Sequence, residues 1–320
     1  MSLPETTSES GTTGGPATTK EPGTASGPVT SGGLGVSGGA GPASGGGASG
    51  GPGASSGAGV AEPATMSRPG LVGDPATAGD LYGAAAEFYD LLAAPAWARL
   101  GPLLRRALEG VDPAHGPLLD VGAGTGLATE AAAEAVPGVR VLAVEPSAGM
   151  RIALATRLAG RPALADRVTV TAGTLHDVHL PRRLCAAVVL GVVGHLDPAE
   201  RAALWRLLSE RLAPGAPAVV DVLDRTAPPT GAPLRLATRR VGDLDYESWS
   251  EGADDGWTLT YRVRDGERVV REHAVPLPWS GVGIATVAEE AAAAGLVCTP
   301  LAPDFAVLRT TTPVTREETS

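Results

Sequence analysis

Pro117-Leu118-Leu119-Asp120-Val121-Gly122-Ala123-Gly124-Thr125-Gly126-Leu127-Ala128-Thr129 decides how this chain folds. A short apolar run ends on an acid, breaks into three alternating glycines and passes into a helical pattern. A buried parallel strand that turns sharply into a helix needs residues free to adopt positive φ and to let backbone approach a ligand, and glycine serves both needs. The stretch reads as strand, turn and helix, with a nucleoside expected against the turn. The dinucleotide form of such a turn is Gly-x-Gly-x-x-Gly. Its third glycine falls at position 127, which is Leu127.

Around this stretch the composition is uneven. Residues 1–74 hold 21 of the 44 glycines, many Ser, Thr, Ala and Pro, and no aromatic residue. Such a segment buries too little apolar area to offset its chain entropy, so disorder is expected there. From about residue 75 to 312, Ala, Leu and Val suffice for one α/β domain, and residues 313–320 read as a frayed end. The net charge of -10 argues against a nucleic-acid partner, since a basic patch would mark one. The arginine doublets at 105–106, 182–183 and 239–240 read as solvated surface. Cys185 and Cys298 sit in apolar sequence and read as reduced, buried thiols. With no signal-like start and no apolar run long enough to span a bilayer, the expected location is cytoplasmic, with no membrane partner. Oligomeric state is left open.

Leu81, Ala85, Phe88, Leu91 and Leu92 recur at helical spacing. Pro95 and Pro102 are expected to divide this lead-in, 76–110, into two or three short helices. Tyr82 and Tyr89 lie seven apart on one face, either folded over a ligand or packed in a core. Strands are expected at Leu118–Val121, Val139–Val144, Val168–Thr171, Ala186–Leu190 and Ala218–Leu223, with helices between them. Asp197-Pro198-Ala199-Glu200 is a helix start, with an Asp cap, Pro at the first position and Glu at the third. This alternation predicts a doubly wound parallel sheet. After a loop from Arg225 to about Ala237 the period becomes two, so an antiparallel insert is expected over about 240–280, with a hairpin turn at Asp265-Gly266-Glu267. A helix near Thr286–Ala294 and strands near Val297–Leu301 and Phe305–Thr310 close the domain.

Leu118-Leu-Asp-Val-Gly-Ala-Gly-Thr-Gly126, followed by Val141-Leu-Ala-Val-Glu-Pro-Ser-Ala-Gly-Met150, resembles the first two motifs of class I S-adenosylmethionine-dependent methyltransferases. The likeness extends to His195-Leu-Asp-Pro198, Leu212-Ala-Pro-Gly215 and Ala294-Gly-Leu296. It implies an α/β, Rossmann-like sheet of seven strands with the last antiparallel, and S-adenosyl-L-methionine as cofactor. Residue by residue, it implies that Gly122, Ala123, Gly124 and Gly126 cradle the methionine part and that Asp120 orients the loop or the ammonium. Glu145, with Pro146 beside it, would receive the ribose hydroxyls, and Met150 would pack on adenine, with Leu190 also at the cofactor. Where the family carries an acid for the adenine amino group, this chain has Thr174. Backbone at Thr174 and Leu175 is expected to serve, or Asp177 reaching back.

The resemblance further implies methyl transfer by in-line positioning, with a base only if the acceptor must lose a proton. His195 is the candidate base, against a plain role bonded to backbone before a helix. Tyr246, Trp249 and Trp257 line a small-molecule acceptor pocket or form the insert's own core. His176 and His179 flank Asp177 without a third placed ligand, so no metal is assigned. An NAD(P)-dependent oxidoreductase and a non-catalytic cofactor-binding module are the rival readings.

Overall fold

The computed structural model describes residue 80 and residues 82–222, 232–253, 256–277 and 281–311. The chain divides into two compact units, Met1–Ala64 and Thr65–Ser320, and every described residue belongs to the second. The expectations for the 1–74 tail, the 313–320 end and the strand end at Leu223 lie outside the described residues.

Helix α1 (Ala86–Ala107) precedes β1 (Leu118–Val121), α2 (Leu127–Ala135), β2 (Val141–Glu145), α3 (Ala148–Ala159), the single turn α4 (Pro162–Ala165), β3 (Val168–Ala172) and β4 (Ala186–Val189). Then follow α5 (Pro198–Arg211), β5 (Ala218–Asp221), the insert strands β6 (Leu234–Val241), β7 (Leu244–Ala253), β8 (Gly256–Asp265) and β9 (Arg268–Leu277), and finally α6 (Ile284–Ala293), β10 (Leu296–Ala302) and β11 (Phe305–Thr310). The main sheet has the order β10-β11-β5-β4-β1-β2-β3. Strands β1 to β5 pair in parallel, and β11 runs antiparallel to both β5 and β10. Strand order reverses between β1 and β4, so the crevice beyond their carboxyl ends is the place for a ligand.

Both faces of this sheet are covered, as the unbroken apolar strands require. Leu119, Val189 and Val220 pack with Leu204, Trp205 and Leu208 of α5 and with Val287 of α6. Leu118, Val141 and Val188 pack on the other side with Leu104 of α1, Ala132 of α2 and Leu154 of α3. The start of α5 is a full capping box: Glu200 N donates to Asp197 Oδ1 at 2.8 Å, and Asp197 N donates to Glu200 Oε2 at 2.8 Å.

The insert is a four-stranded antiparallel sheet in the order β6-β7-β8-β9. Its tight loops are Gly242-Asp243 and Gly266-Glu267, with the glycines at φ 58° and 57°. One face carries Tyr246, Tyr261, Val263 and Val275, packed on Ala85 and Phe88 at the start of α1. Helix α1 therefore joins the two sheets, with Leu104 and Ala107 in the main core and Phe88 in the insert core.

Three expectations are corrected. Pro95 and Pro102 do not divide the lead-in, since both lie inside the 22-residue α1. Both rings face solvent while the buried positions Phe88, Gly101, Leu104 and Ala107 fall on the other side, so water can satisfy the carbonyls whose partner amides are missing. The stretch read as loop to Ala237 is already strand from Leu234. Seven of the eight β6 positions are exposed and the eighth is half-buried, and the apolar alternation stops after Leu236, where the pairing with β7 shifts register, so too little of it is left to read. Trp249 alternates with Tyr246 and Ser248 along β7, and its ring stacks with the Arg235 and Arg262 guanidiniums at 5.6 and 5.4 Å on the insert's outer face.

One continuous helix predicts that Pro95→Ala, which restores an amide donor to Leu91 O, raises unfolding free energy by about 1–3 kcal/mol in urea titration. No gain in stability would mean that the helix is broken at that proline.

Candidate active site

The glycine turn leaves β1 at the reversal of strand order. Gly122 and Gly126 stand at φ 64° and 88°. A Cβ at Gly122 would meet Val192 Cγ2 at 2.6 Å, and one at Gly126 would run into Leu154 Cδ1. The positive φ strains any larger residue at both positions, and Val192 or Leu154 would have to shift to admit one. The amides of Gly122 and Ala123 both donate to Val144 O, at 2.9 and 3.1 Å, which fastens the turn to β2. Helix α2 begins at Gly126 with no side-chain cap, so its first amides are left for another acceptor.

Glu145 closes β2 beside this turn and is 5% exposed. Gly124 N donates to its Oε2 at 2.8 Å, and Ser147 N donates to its Oε1 at 2.7 Å. Burial raises its pKa, and these two amides oppose the rise. Each oxygen of an ionised carboxylate can accept two hydrogen bonds, so each keeps one acceptor position beyond the backbone. Arg151 donates to Glu145 O and Pro146 O at 2.8 and 2.7 Å, which fixes the strand end. Met150 is buried on the first turn of α3, and its amide donates to the Ser147 cap at 3.2 Å.

The turn is also gripped from outside. Thr125 Oγ1 donates to Asp90 of α1, Arg157 Nε donates to Thr125 O at 2.8 Å, and Arg157 itself pairs with Asp90 and with Glu130. Asp80 adds a second tie from the lead-in, with Oδ2 accepting from Ser147 Oγ at 3.0 Å. Burial raises the Asp80 pKa, but hydrogen bonds from Ser147, Gly149 and nearby amides outweigh it and hold the carboxyl below the usual range.

Asp120, at 1% exposure, accepts from Thr129 Oγ1 and so ties β1 to α2. Burial pushes its pKa up to about 7, against the Thr129 bond and with help from Glu145. Thr174 and Asp177 are bonded to each other: the amide and hydroxyl of Thr174 both donate to Asp177 Oδ2, at 2.9 and 2.8 Å. The segment adjoins Glu145, whose carbonyl accepts from Gly173 N at 3.4 Å. Leu175 packs half-buried on the α5 side, and Leu190 half-buried on the α1 side.

His195 stands in a short 3-10 turn after β4. Its Nε2 lies 2.8 Å from Tyr82 Oη, with the rings edge to face at 5.7 Å between centroids. Tyr82, Tyr89 and Tyr261 are mutual neighbours here. Burial raises the pKa of all three, and the nearby Glu145 raises Tyr82 and Tyr89 further. Phe88 stacks on Tyr261 at 5.2 Å. Asp221 ends β5 with Oδ1 accepting from Gly191 N at 2.7 Å, and burial pushes its carboxyl up to about 6. Ser250, on the same face of β7 as Tyr246, is 1% exposed, and its Oγ has no hydrogen-bond partner.

The turn, Glu145, Pro146 and Met150 thus lie together at the carboxyl ends of β1 and β2, and Tyr82, whose hydroxyl bonds His195, is near enough to Glu145 to feel its charge. Asp80, Asp90 and Asp221 were not singled out in the sequence. Their partners lie 67, 35 and 30 residues away, and no local pattern records such distances. Trp257 and Tyr246 belong to the insert's core against α1, with Tyr246 Oη donating to Glu87 at 3.2 Å.

Residues 118–215 match the family model described as a methyltransferase domain. A curated relative, an uncharacterized protein of a Synechococcus strain, is 34% identical over 99 residues, which are 31% of this chain and 23% of that protein. The match thus spans about a quarter of the relative's length. Among solved structures, the CcbJ methyltransferase from Streptomyces caelestis has a TM-score of 0.55 at 21% identity, covering 73% of this chain and 98% of that one. An S-adenosylmethionine-dependent methyltransferase from Clostridium acetobutylicum reaches 0.54 at 12% identity, covering 72% and 99%. An S-adenosylmethionine-bound amino pentose methyltransferase from Micromonospora echinaspora reaches 0.50 at 22% identity, covering 72% and 97%.

A carboxyl whose folded pKa lies above its unfolded value is bound more tightly to its proton in the native state. Its contribution is present at low pH and is lost as pH rises from about 4 to about 7. Asp120→Asn should therefore flatten the decline of stability over that window, by a slope on the order of one proton in urea midpoints measured against pH. Parallel wild-type and variant curves would refute the assignment.

Proposed function

We propose that this chain, whose residues 118–215 match the model of a methyltransferase domain, is a class I methyltransferase that binds S-adenosylmethionine at the glycine turn and methylates a small-molecule acceptor. The observation that carries the reading is the Glu145 carboxylate. It is buried beside three glycines and held by two backbone amides, with an acceptor position left on each oxygen. Two ribose hydroxyls match that pair, since a diol offers two donors to one carboxylate.

The cofactor supplies a methyl group already activated by the sulfonium charge. What the chain adds is position and a dry, negative surrounding. The glycine backbone admits the methionine portion closely, the uncapped start of α2 offers amides to its carboxylate, and Met150 and Leu190 give apolar contact to the base. For the adenine edge the Thr174 amide is already taken by Asp177, so the Leu175 amide is the group proposed to read it.

His195 is proposed to take the proton an acceptor must lose. In the base-competent tautomer Nε2–H donates to the buried Tyr82 hydroxyl, which orients the ring, and Nδ1 is the nitrogen proposed to take the proton. The acceptor would lie between this pair and the inner face of the insert.

Titration calorimetry with S-adenosylhomocysteine tests the first half. Glu145→Ala should weaken binding by about 2–3 kcal/mol, and Glu145→Gln, which keeps one acceptor oxygen, by less. Equal affinities for all three proteins would overturn the site. For the second half, His195→Ala should lower kcat by about 10²–10⁴ with cofactor affinity unchanged. Unaltered turnover would leave positioning alone as the mechanism.

A further inference from the structure

The crevice contains one carboxylate that the reading above does not use. Asp221 is the last residue of β5 and stands at the carboxyl edge next to the end of β4. It lies on the same face of the sheet as Val219, which packs toward α1. Its place relative to the cofactor turn is fixed by contact: Val192 abuts Gly122, and the preceding Gly191 donates its amide to Asp221. A Cβ on Gly191 would lie 4.0 Å from Tyr89 Oη, so the Tyr89 hydroxyl closes the same corner from α1.

The charges around this corner are negative. Asp221, Glu145 and Asp90 all act on Tyr89, and Tyr261 lies beside it. Arg99 is the cation that bears on Asp221, and it is committed to Asp304 in a bidentate pair at 2.8 and 2.6 Å. Among the described residues no salt bridge reaches Asp221. Asp221 is half-buried with Oδ1 held by the Gly191 amide, and a carboxylate partly removed from water without a paired cation gains from a ligand that brings the positive charge. Rings of tyrosine beside it add favourable faces for a cation.

We propose that Asp221 recognises a basic nitrogen on the acceptor, with Tyr89 and Tyr261 forming the walls of that subsite. The proposal rests on the methyltransferase reading and assigns the acceptor an amine as a recognised group. Asp221 receives its N–H, while anionic acceptors are turned away by the same field. The plain alternative is that Asp221 only holds Gly191. An Asn side chain can still accept the Gly191 amide, so Asp221→Asn separates the two roles.

The full-length protein is saturated with S-adenosylhomocysteine and titrated with benzylamine, benzyl alcohol and benzoate, with binding followed by ligand-observed NMR. The amine is expected to bind at least about tenfold more tightly than the alcohol, with benzoate weakest. In Asp221→Asn the preference should fall to within about twofold while S-adenosylhomocysteine affinity is unchanged. Absence of an amine preference in the wild type, its survival in the variant, or loss of S-adenosylhomocysteine binding in the variant overturns the proposal. Failure of the wild type to bind S-adenosylhomocysteine is read before any amine is added. It removes the underlying methyltransferase site and this subsite with it.

Discussion

Thr125 is the point on which the arrangement depends. It stands between Gly124 and Gly126, where the backbone is free enough to collapse or wander, and it is 2% exposed. Its carbonyl is held by Arg157 of α3 and its hydroxyl by Asp90 of α1, and those two side chains pair with each other. A glycine-rich turn carries a large conformational entropy to be lost on binding. Clamping the one residue in it that has a polar side chain removes much of that loss beforehand. The clamp also makes α1 a structural element of the crevice, although α1 lies outside the alternating strand–helix pattern.

Because α1 reaches both sheets, two sites that share no backbone hydrogen bonds are mechanically joined. The end that carries Phe88 packs under the insert, and Glu87 meets Arg271 and Tyr246. One helical turn further on, Asp90 grips the glycine loop. Asp80, just before α1, bonds the cap of α3. The tyrosines proposed to face an acceptor and the glycines proposed to face the cofactor are thus placed by the same short stretch of chain.

Much of this was legible in the sequence wherever the cause is local. The glycine turn, the acid closing β2, the Asp197 capping box and the Gly266 hairpin each follow from the backbone demands of a few neighbouring residues. What was illegible is contact across the chain. Nothing near Tyr82 announces His195, which lies 113 residues away, and nothing near Asp221 announces Tyr89. The prolines misled for a different reason. The rule that they break helices concerns the loss of a buried bond, and their exposure in α1 cannot be judged before the packing is known. Strand β6 escaped because its alternation stops after Leu236, where the pairing with β7 shifts register.

That same strand has a bearing on assembly. Strand β6 is an outer strand of the insert, and one of its backbone edges has no partner strand within that sheet. Exposed edges with apolar residues, here Leu234 and Leu236, invite pairing with another chain. Arg235, Arg239 and Arg240 interrupt them, with two guanidiniums already engaged by Glu247 and Asp245 of the neighbouring strand. A second copy approaching antiparallel would bring like charges face to face across a strand spacing of about 4.8 Å. The arginines set charge along this open edge, a device by which edge strands are kept from pairing with copies of themselves.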